Sequence, residues 1–226
     1  MKMPPIPCTV IVLLTCLIQD HMGIQLYFPL FFSSSGGTAT LPCGDVNCSS
    51  TTWIYRHRQT FAEMVLAKNG HIVPSFKAER LSLGPGCSLH ISDITSEDTG
   101  YYGCEEILTH SHTYSCLTVP HVSASPHETE MEPCSVVTLH CLLYTQDDCG
   151  KSVADKGAVL AWVDEGQREL NSTPKRQIIT TSACNITLME KLTDTNPCLA
   201  QRTWRCQLTA GEQVLASANH TVRVKG

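Results

Sequence analysis

The side chains with most chemistry to offer in this sequence are its sulfurs. Thirteen cysteines lie among 226 residues, a density that points either to metal or to disulfides. Zinc knuckles use Cys-x-x-Cys spacings, and no two cysteines here stand that close. The sulfurs are therefore expected to be oxidised. Two other groupings invite a chemical reading. His110 and His112, in "HSH", offer imidazoles for metal or pH sensing, but without a carboxylate partner they read as solvated loop residues. Asp98-Thr99-Gly100 matches the active-site triplet of aspartic proteases, which need two such carboxylates, and it occurs once. GxSxG, HExxH and GxGxxG are absent, as is a Cys–His dyad with a free thiol. No catalytic residue, cofactor or metal site is expected.

The bulk numbers narrow the class further. A net charge of −5 and a pI near 6.0 give no basic field for nucleic acid or an anionic membrane. "MKMPPIPCTVIVLLTCLIQDHMG" carries an early Lys and an apolar run from Thr9 to Ile18. That run suits a signal peptide and is too short to cross a bilayer. Residues 1–23 are read as the leader, with cleavage between Cys16 and Ile24, so Cys8 and Cys16 would leave with it. "LYFPLFF", Leu26 to Phe32, is read as the first strand after it. No later segment approaches a membrane span, and the chain stops at "TVRVKG". The expectation is an extracellular protein, either secreted or a cell-surface ectodomain cut before its anchor.

The elements that must position the sulfurs are strands. "SEDTGYYGC" sets Asp98, Gly100, Tyr102 and Cys104 at every second position, and alternate strand residues share a face. Upstream, "GGTATLPC" ends at Cys43 and "TTWIYR" carries Trp53. A Cys, then a Trp, then Tyr-x-Cys is the pattern of an immunoglobulin sandwich, with strands B, C and F and a tyrosine corner. "CSLHISDI" fits strand E, and Arg80 is placed to pair with Asp98. The second half repeats the pattern with Cys141, Trp162 and Cys206. Trp204 stands there in the corner position, where an indole cannot make the phenol's hydrogen bond. Helical periodicity is absent. The fold class is all-β, two tandem immunoglobulin-like sandwiches over residues 24–120 and 121–226.

Strand adjacency then sorts the sulfurs. Cys43–Cys104 and Cys141–Cys206 are the inter-sheet bridges of that pattern. Strands B and E are antiparallel neighbours, which brings Cys48 to Cys87 and, in the second half, Cys149 to Cys184. Cys134 and Cys198 share the opposite pole of the second sandwich. Cys116 is left over, on the predicted G strand in "TYSCLTV". An odd Cys suggests an interchain bridge or a free thiol, with a buried reduced Cys as the alternative.

"STTW…ERLSLGPGCSLHISDITSEDTGYYGC" and "CNITL…TWRCQLTAG" resemble two-domain immune-type immunoglobulin-like proteins of bony fishes. The resemblance implies a variable-like first domain, a constant or intermediate second one, and a receptor-type role with a protein ligand or counter-receptor. Sequons at Asn47, Asn171, Asn185 and Asn219 suit an extracellular surface, with Asn185 and Asn219 the favoured pair. The candidate ligand surface is the F–G loop, Glu105 to Thr113, with His110 and His112, and the outward face of the G-F-C sheet with Ile54, Arg56, Tyr101 and Glu105. The competing reading is an adhesion protein making homotypic contacts, as a dimer linked through Cys116. A small-molecule substrate would need a cavity that a filled sandwich core does not offer.

Overall fold

Strand formation follows the alternation of apolar and polar residues. In Thr51–His57, Trp53 and Tyr55 are fully buried while Ile54 and Arg56 between them are partly exposed. The structure is a computed structural model. It describes residues 15–19, 25–44, 47–57, 62–106, 110–125, 135–144, 153, 157–192 and 201–223. Apart from the isolated Val153 and short 3₁₀ turns, the regular structure described is strand.

The first sandwich packs β1 (Thr15–Gln19), β2 (Gln25–Phe32), β4 (Thr51–His57), β5 (Glu63–Lys68), β6 (His71–Ile72), β9 (Gly100–Glu106) and β10 (Ser111–Thr118) against a second sheet. The front sheet runs β1-β2-β10-β9-β4-β5-β6, and the back sheet is β3 (Ala39–Leu41), β8 (Leu89–Ile91) and β7 (Leu81–Leu83). In the full chain the end of the expected leader's apolar run is β1, paired antiparallel with β2 from Thr15↔Pro29 to Gln19↔Gln25. β2 runs parallel to β10. Between the sheets lie Leu41, Trp53, Leu66, Leu89, Ile91, Ile94, Tyr102 and Leu117. Cys43–Cys104 crosses this core and Cys48–Cys87 closes one end of it. The Trp53 indole donates to the Cys87 carbonyl at 2.8 Å, which ties strand C to the second bridge.

A buried polar knot closes the other pole. The Tyr102 hydroxyl donates to the Asp98 carbonyl at 2.7 Å, the corner bond. The Asp98 carboxylate is fully buried. It takes both terminal nitrogens of Arg80, at 2.7 and 3.0 Å, and the Lys77 ammonium at 2.8 Å. Burial alone would raise the acid, but the hydrogen bonds from Arg80, Lys77 and the Thr95 amide win, and its pKa falls to about 2. Such a carboxylate stays ionised at every physiological pH. Both Asp98 oxygens are taken up by Arg80 and Lys77, so "DTG" is part of a structural ion cluster here. Burial lowers Lys77 against the pull of Asp98, and the ammonium also lies 4.1 Å from the Tyr55 ring centroid.

The second sandwich has one sheet of β11 (Pro120–Ser125), β12 (Val136–Leu143), β15 (Asn185–Lys191) and β14 (Arg176–Ser182). The other holds β13 (Ala158–Val163), β16 (Gln201–Ala210) and β17 (Gln213–Arg223). This is the ABED/CFG order of constant-type domains. Cys141–Cys206 joins the sheets beside Trp162. The corner position is solved differently from the first sandwich. The Trp204 indole donates to Glu190 at 2.9 Å, and Glu190 also meets Arg176 at 2.7 Å and Arg202 at 3.1 Å. A carboxylate on strand E thus replaces the phenol's backbone partner.

Cys116 is 2% exposed and, like Cys184, disulfide-bonded, so it is neither the free thiol nor the reduced buried Cys of the sequence reading. The expected partners Cys134, Cys149 and Cys198 lie outside the described residues.

The sandwiches meet closely. Only Val119, fully buried, separates β10 from β11. The turn after β2 docks on the edge of β17. Ser35 N–H donates to the Ser217 carbonyl, and Ser217 N–H to the Ser34 hydroxyl, each at 2.9 Å. Phe32 packs against the second core, and the His121 ring sits 3.0 Å from the Ser96 hydroxyl.

Candidate recognition face

The outward face of the front sheet is assembled by register. Ile54 lies opposite Gly103, which lies opposite Tyr114. One row along, Arg56 faces Tyr101 and Tyr101 faces Cys116; on the other side Thr52, Glu105 and His112 line up. β5 adds Val65 beside Ile54 and Glu63 beside Arg56. Directly opposed residues in an antiparallel pair point to the same side, so these side chains all face away from the core.

The centre of this face is an aromatic laid over a glycine. A Cβ on Gly103 would meet the Tyr114 ring at 3.1 Å. Glycine in the strand therefore lets the Tyr114 ring lie flat against backbone. Burial raises the Tyr114 phenol, with Glu105 and Glu63 adding to the rise and Arg56 opposing it. The His112 ring stacks beside Tyr114, with centroids 6.2 Å apart and planes 9° from parallel, and its Nδ1 stands 3.8 Å from Glu105. Val65 is 40% exposed next to the half-buried Ile54. The product is a small apolar and aromatic centre rimmed by Arg56, Glu63, Glu105 and His112. That composition suits a protein contact: an aromatic anchor within a polar rim.

Two expected members behave differently from the sequence reading. Tyr101 faces outward, but it is 6% exposed and packs with Leu30 and Cys116 against Phe32 and Tyr114, so it is not offered to a partner. Arg56 is half-exposed and already ion-paired with Glu63 across β4 and β5. It forms part of a charged rim and is no free anchor. His110 sits exposed at a turn with φ of 54°. The F–G loop residues 107–109 lie outside the described set.

Tyr114, Val65 and Glu63 are members that the sequence reading did not select. The signal for Tyr114 was available in Gly103, a glycine inside strand F, which marks a close approach. Val65 and Glu63 needed the C′ strand, whose alternation is short and carries no cysteine or tryptophan to set its phase. Among the described residues no group of His, Cys, Asp and Glu gathers to hold a metal.

The Cys43–Cys104 and Cys48–Cys87 bridges, the corner bond, the Arg80–Asp98 pair and the G-F-C-C′ strands of the front sheet all lie in one segment. Residues 31–120 match the model of the immunoglobulin V-set domain. The V-set-like segment holds every residue of the face just described. Comparison with curated proteins returns no match. Among solved structures the chain is similar to domains 3 and 4 of rat CD4, at 15% identity over 86% of this chain and 98% of that one, with a TM-score of 0.46. It is also similar to the CD2-binding domain of CD58, at 13% identity over 87% and 97% of the chains, with a TM-score of 0.36. A third is the full ectodomain of mouse nectin-like molecule 4, at 17% identity over 86% and 66%, with a TM-score of 0.35.

Proposed function

We propose that this chain is a non-catalytic extracellular recognition module that binds a protein partner through the front sheet of its V-set-like domain. The observation that carries this is the Tyr114–Gly103 stack beside exposed Val65 and Ile54, rimmed by Arg56, Glu63, Glu105 and His112. An apolar centre with an aromatic anchor excludes water, and the rim charges choose the partner. The disulfide-bonded cores support an oxidising, extracellular setting. The receptor-type role belongs to this proposal, as does the relation to immune-type proteins of bony fishes.

The test is a multimerised, fluorescent form of the full chain used to stain a panel of cells. Val65→Arg should cut staining at least ~30-fold, the loss of about 2 kcal/mol expected for a charge forced into an interface centre. Val159→Arg, on the second sandwich, should leave staining unchanged. Equal staining by wild type and Val65→Arg would sink the reading.

A further inference from the structure

Apolar side chains that share a sheet face make a surface that a cover can shield from water. On the second sandwich these are Val136, Val159, Ile179 and Val214, between 41% and 56% exposed. The register assigns them to both faces. Val136 lies on the outward side of β12 with Thr138, His140 and Leu142; Leu142 is opposite Asn185, and Ile179 is opposite Thr187. On the other sheet Val159, Thr209 and Val214 form one outward row, and Arg205 lies opposite both Val163 and Asn219. Each outward face thus carries exposed aliphatic residues and one Asn-x-Thr sequon.

We propose that Asn185 and Asn219 carry N-linked oligosaccharides, which coat the two faces of the second sandwich and leave the front sheet of the first bare for a partner. Asn219 is exposed, and its side-chain oxygen accepts from Arg205 Nε at 2.9 Å. The glycan is borne by the amide nitrogen, so that contact and a glycan coexist. In the transfer, the Asn amide nitrogen attacks the anomeric carbon of a polyprenyl-diphosphate-linked oligosaccharide. A C–N bond forms, the C–O bond to the diphosphate breaks, and the nitrogen gives up one proton. Polyprenyl diphosphate leaves.

The reach is adequate. Asn185 is two residues from Thr187 and so about 7 Å from the Ile179 row at ~3.3 Å per residue. Asn219 is about 13 Å along the sheet from the Val159–Val214 row by the same measure, with Ala161 and Gln207 between them already buried. Branched sugars span both distances. The first sandwich differs. Its sequon, Asn47-Cys48-Ser49, lies before β4 and away from the outward rows, with Asn47 capping a 3₁₀ turn and Cys48 bridged to Cys87. Ile54, Val65 and Tyr114 have no sequon on their face.

The spacer role rests on the recognition reading, whereas occupancy of the two asparagines does not. Full-length chain secreted from a glycosylating eukaryotic cell is treated, in ¹⁸O water, with a glycosidase that turns each occupied Asn into labelled Asp, and its peptides are mapped. Label at both 185 and 219 is expected, with Asn185→Gln and Asn219→Gln each losing one glycan's worth of mass. Unlabelled Asn at either position in the secreted wild type overturns the proposal. Removal of the sugars from the folded protein should raise its binding of an apolar fluorescent dye, and unchanged binding overturns the shielding. Occupied sites with staining indifferent to Val65→Arg would defeat the recognition reading alone. Empty sites with staining lost in Val65→Arg would defeat this one alone.

Discussion

Asp98 is the most informative single atom group to perturb, because one carboxylate holds two cations at the pole of the first sandwich. Its folded pKa of about 2 lies below the ordinary carboxylate value. A depressed acid contributes stability above its unfolded pKa and loses it as pH falls through the folded one. The window is therefore pH ~4 down to pH ~2, and a shift of that size is worth about 2–2.5 kcal/mol. Asn in place of Asp98 keeps the shape and removes the charge. Lys77, 2% exposed, and Arg80 are then left beside each other without an anion, a situation that costs about 3–5 kcal/mol.

The two sandwiches need separate readouts, so peptide-resolved hydrogen exchange suits the question. Peptides from β9 should lose protection in Asp98→Asn while those from β16 keep it. In the wild type the β9 peptides should lose about 2 kcal/mol of protection between pH 4 and pH 2, after correction for intrinsic exchange, and the variant should lack that step. A second substitution reverses sign. Lys77→Met should cost at most about 1 kcal/mol in the wild type, where Arg80 still holds Asp98, yet stabilise Asp98→Asn by relieving a buried charge. An acid step that survives in Asp98→Asn, or Lys77→Met effects equal in both backgrounds, would refute this account of the knot.

Other expected outcomes follow from the same geometry. Trp204→Phe removes the indole donor from Glu190 and should cost about 1–3 kcal/mol in the second sandwich alone, seen as faster exchange in β15 and β16. Gly100→Ala drives a Cβ to 2.6 Å from the Arg56 carbonyl oxygen; the backbone cannot yield cheaply, so secretion yield should fall sharply. Gly103→Ala meets only the Tyr114 ring at 3.1 Å; thermal stability should hold within about 1 kcal/mol while cell staining drops. Joint replacement of Cys48 and Cys87 by Ser opens a loop of separation 39 and should cost up to about 4 kcal/mol by the chain-entropy relation, measured as a lower urea midpoint with Cys43–Cys104 intact.

The sandwich frame was legible because its markers are large, chemically distinct and locked to strand phase. Cys43, Trp53, Tyr102 and Cys104 each sit where alternation carries them inward, and Arg80 was placed to meet Asp98. What escaped was set by partners remote in sequence. Lys77 lies 21 residues from Asp98 and joins the knot through a turn that carries no periodic signal. Trp204 announced that a phenol's bond was impossible, but nothing local named Glu190 as the acceptor. Alternation likewise told which way Tyr101 points without telling what lies over it, and it left the direction of Cys116 open. Direction is a local property of a strand, decided by parity, whereas exposure depends on every element packed outside it. A recognition face read from parity alone will therefore include residues such as Tyr101 that are outward yet buried. A glycine such as Gly103 is a better guide, because it marks where an aromatic has come down to the backbone.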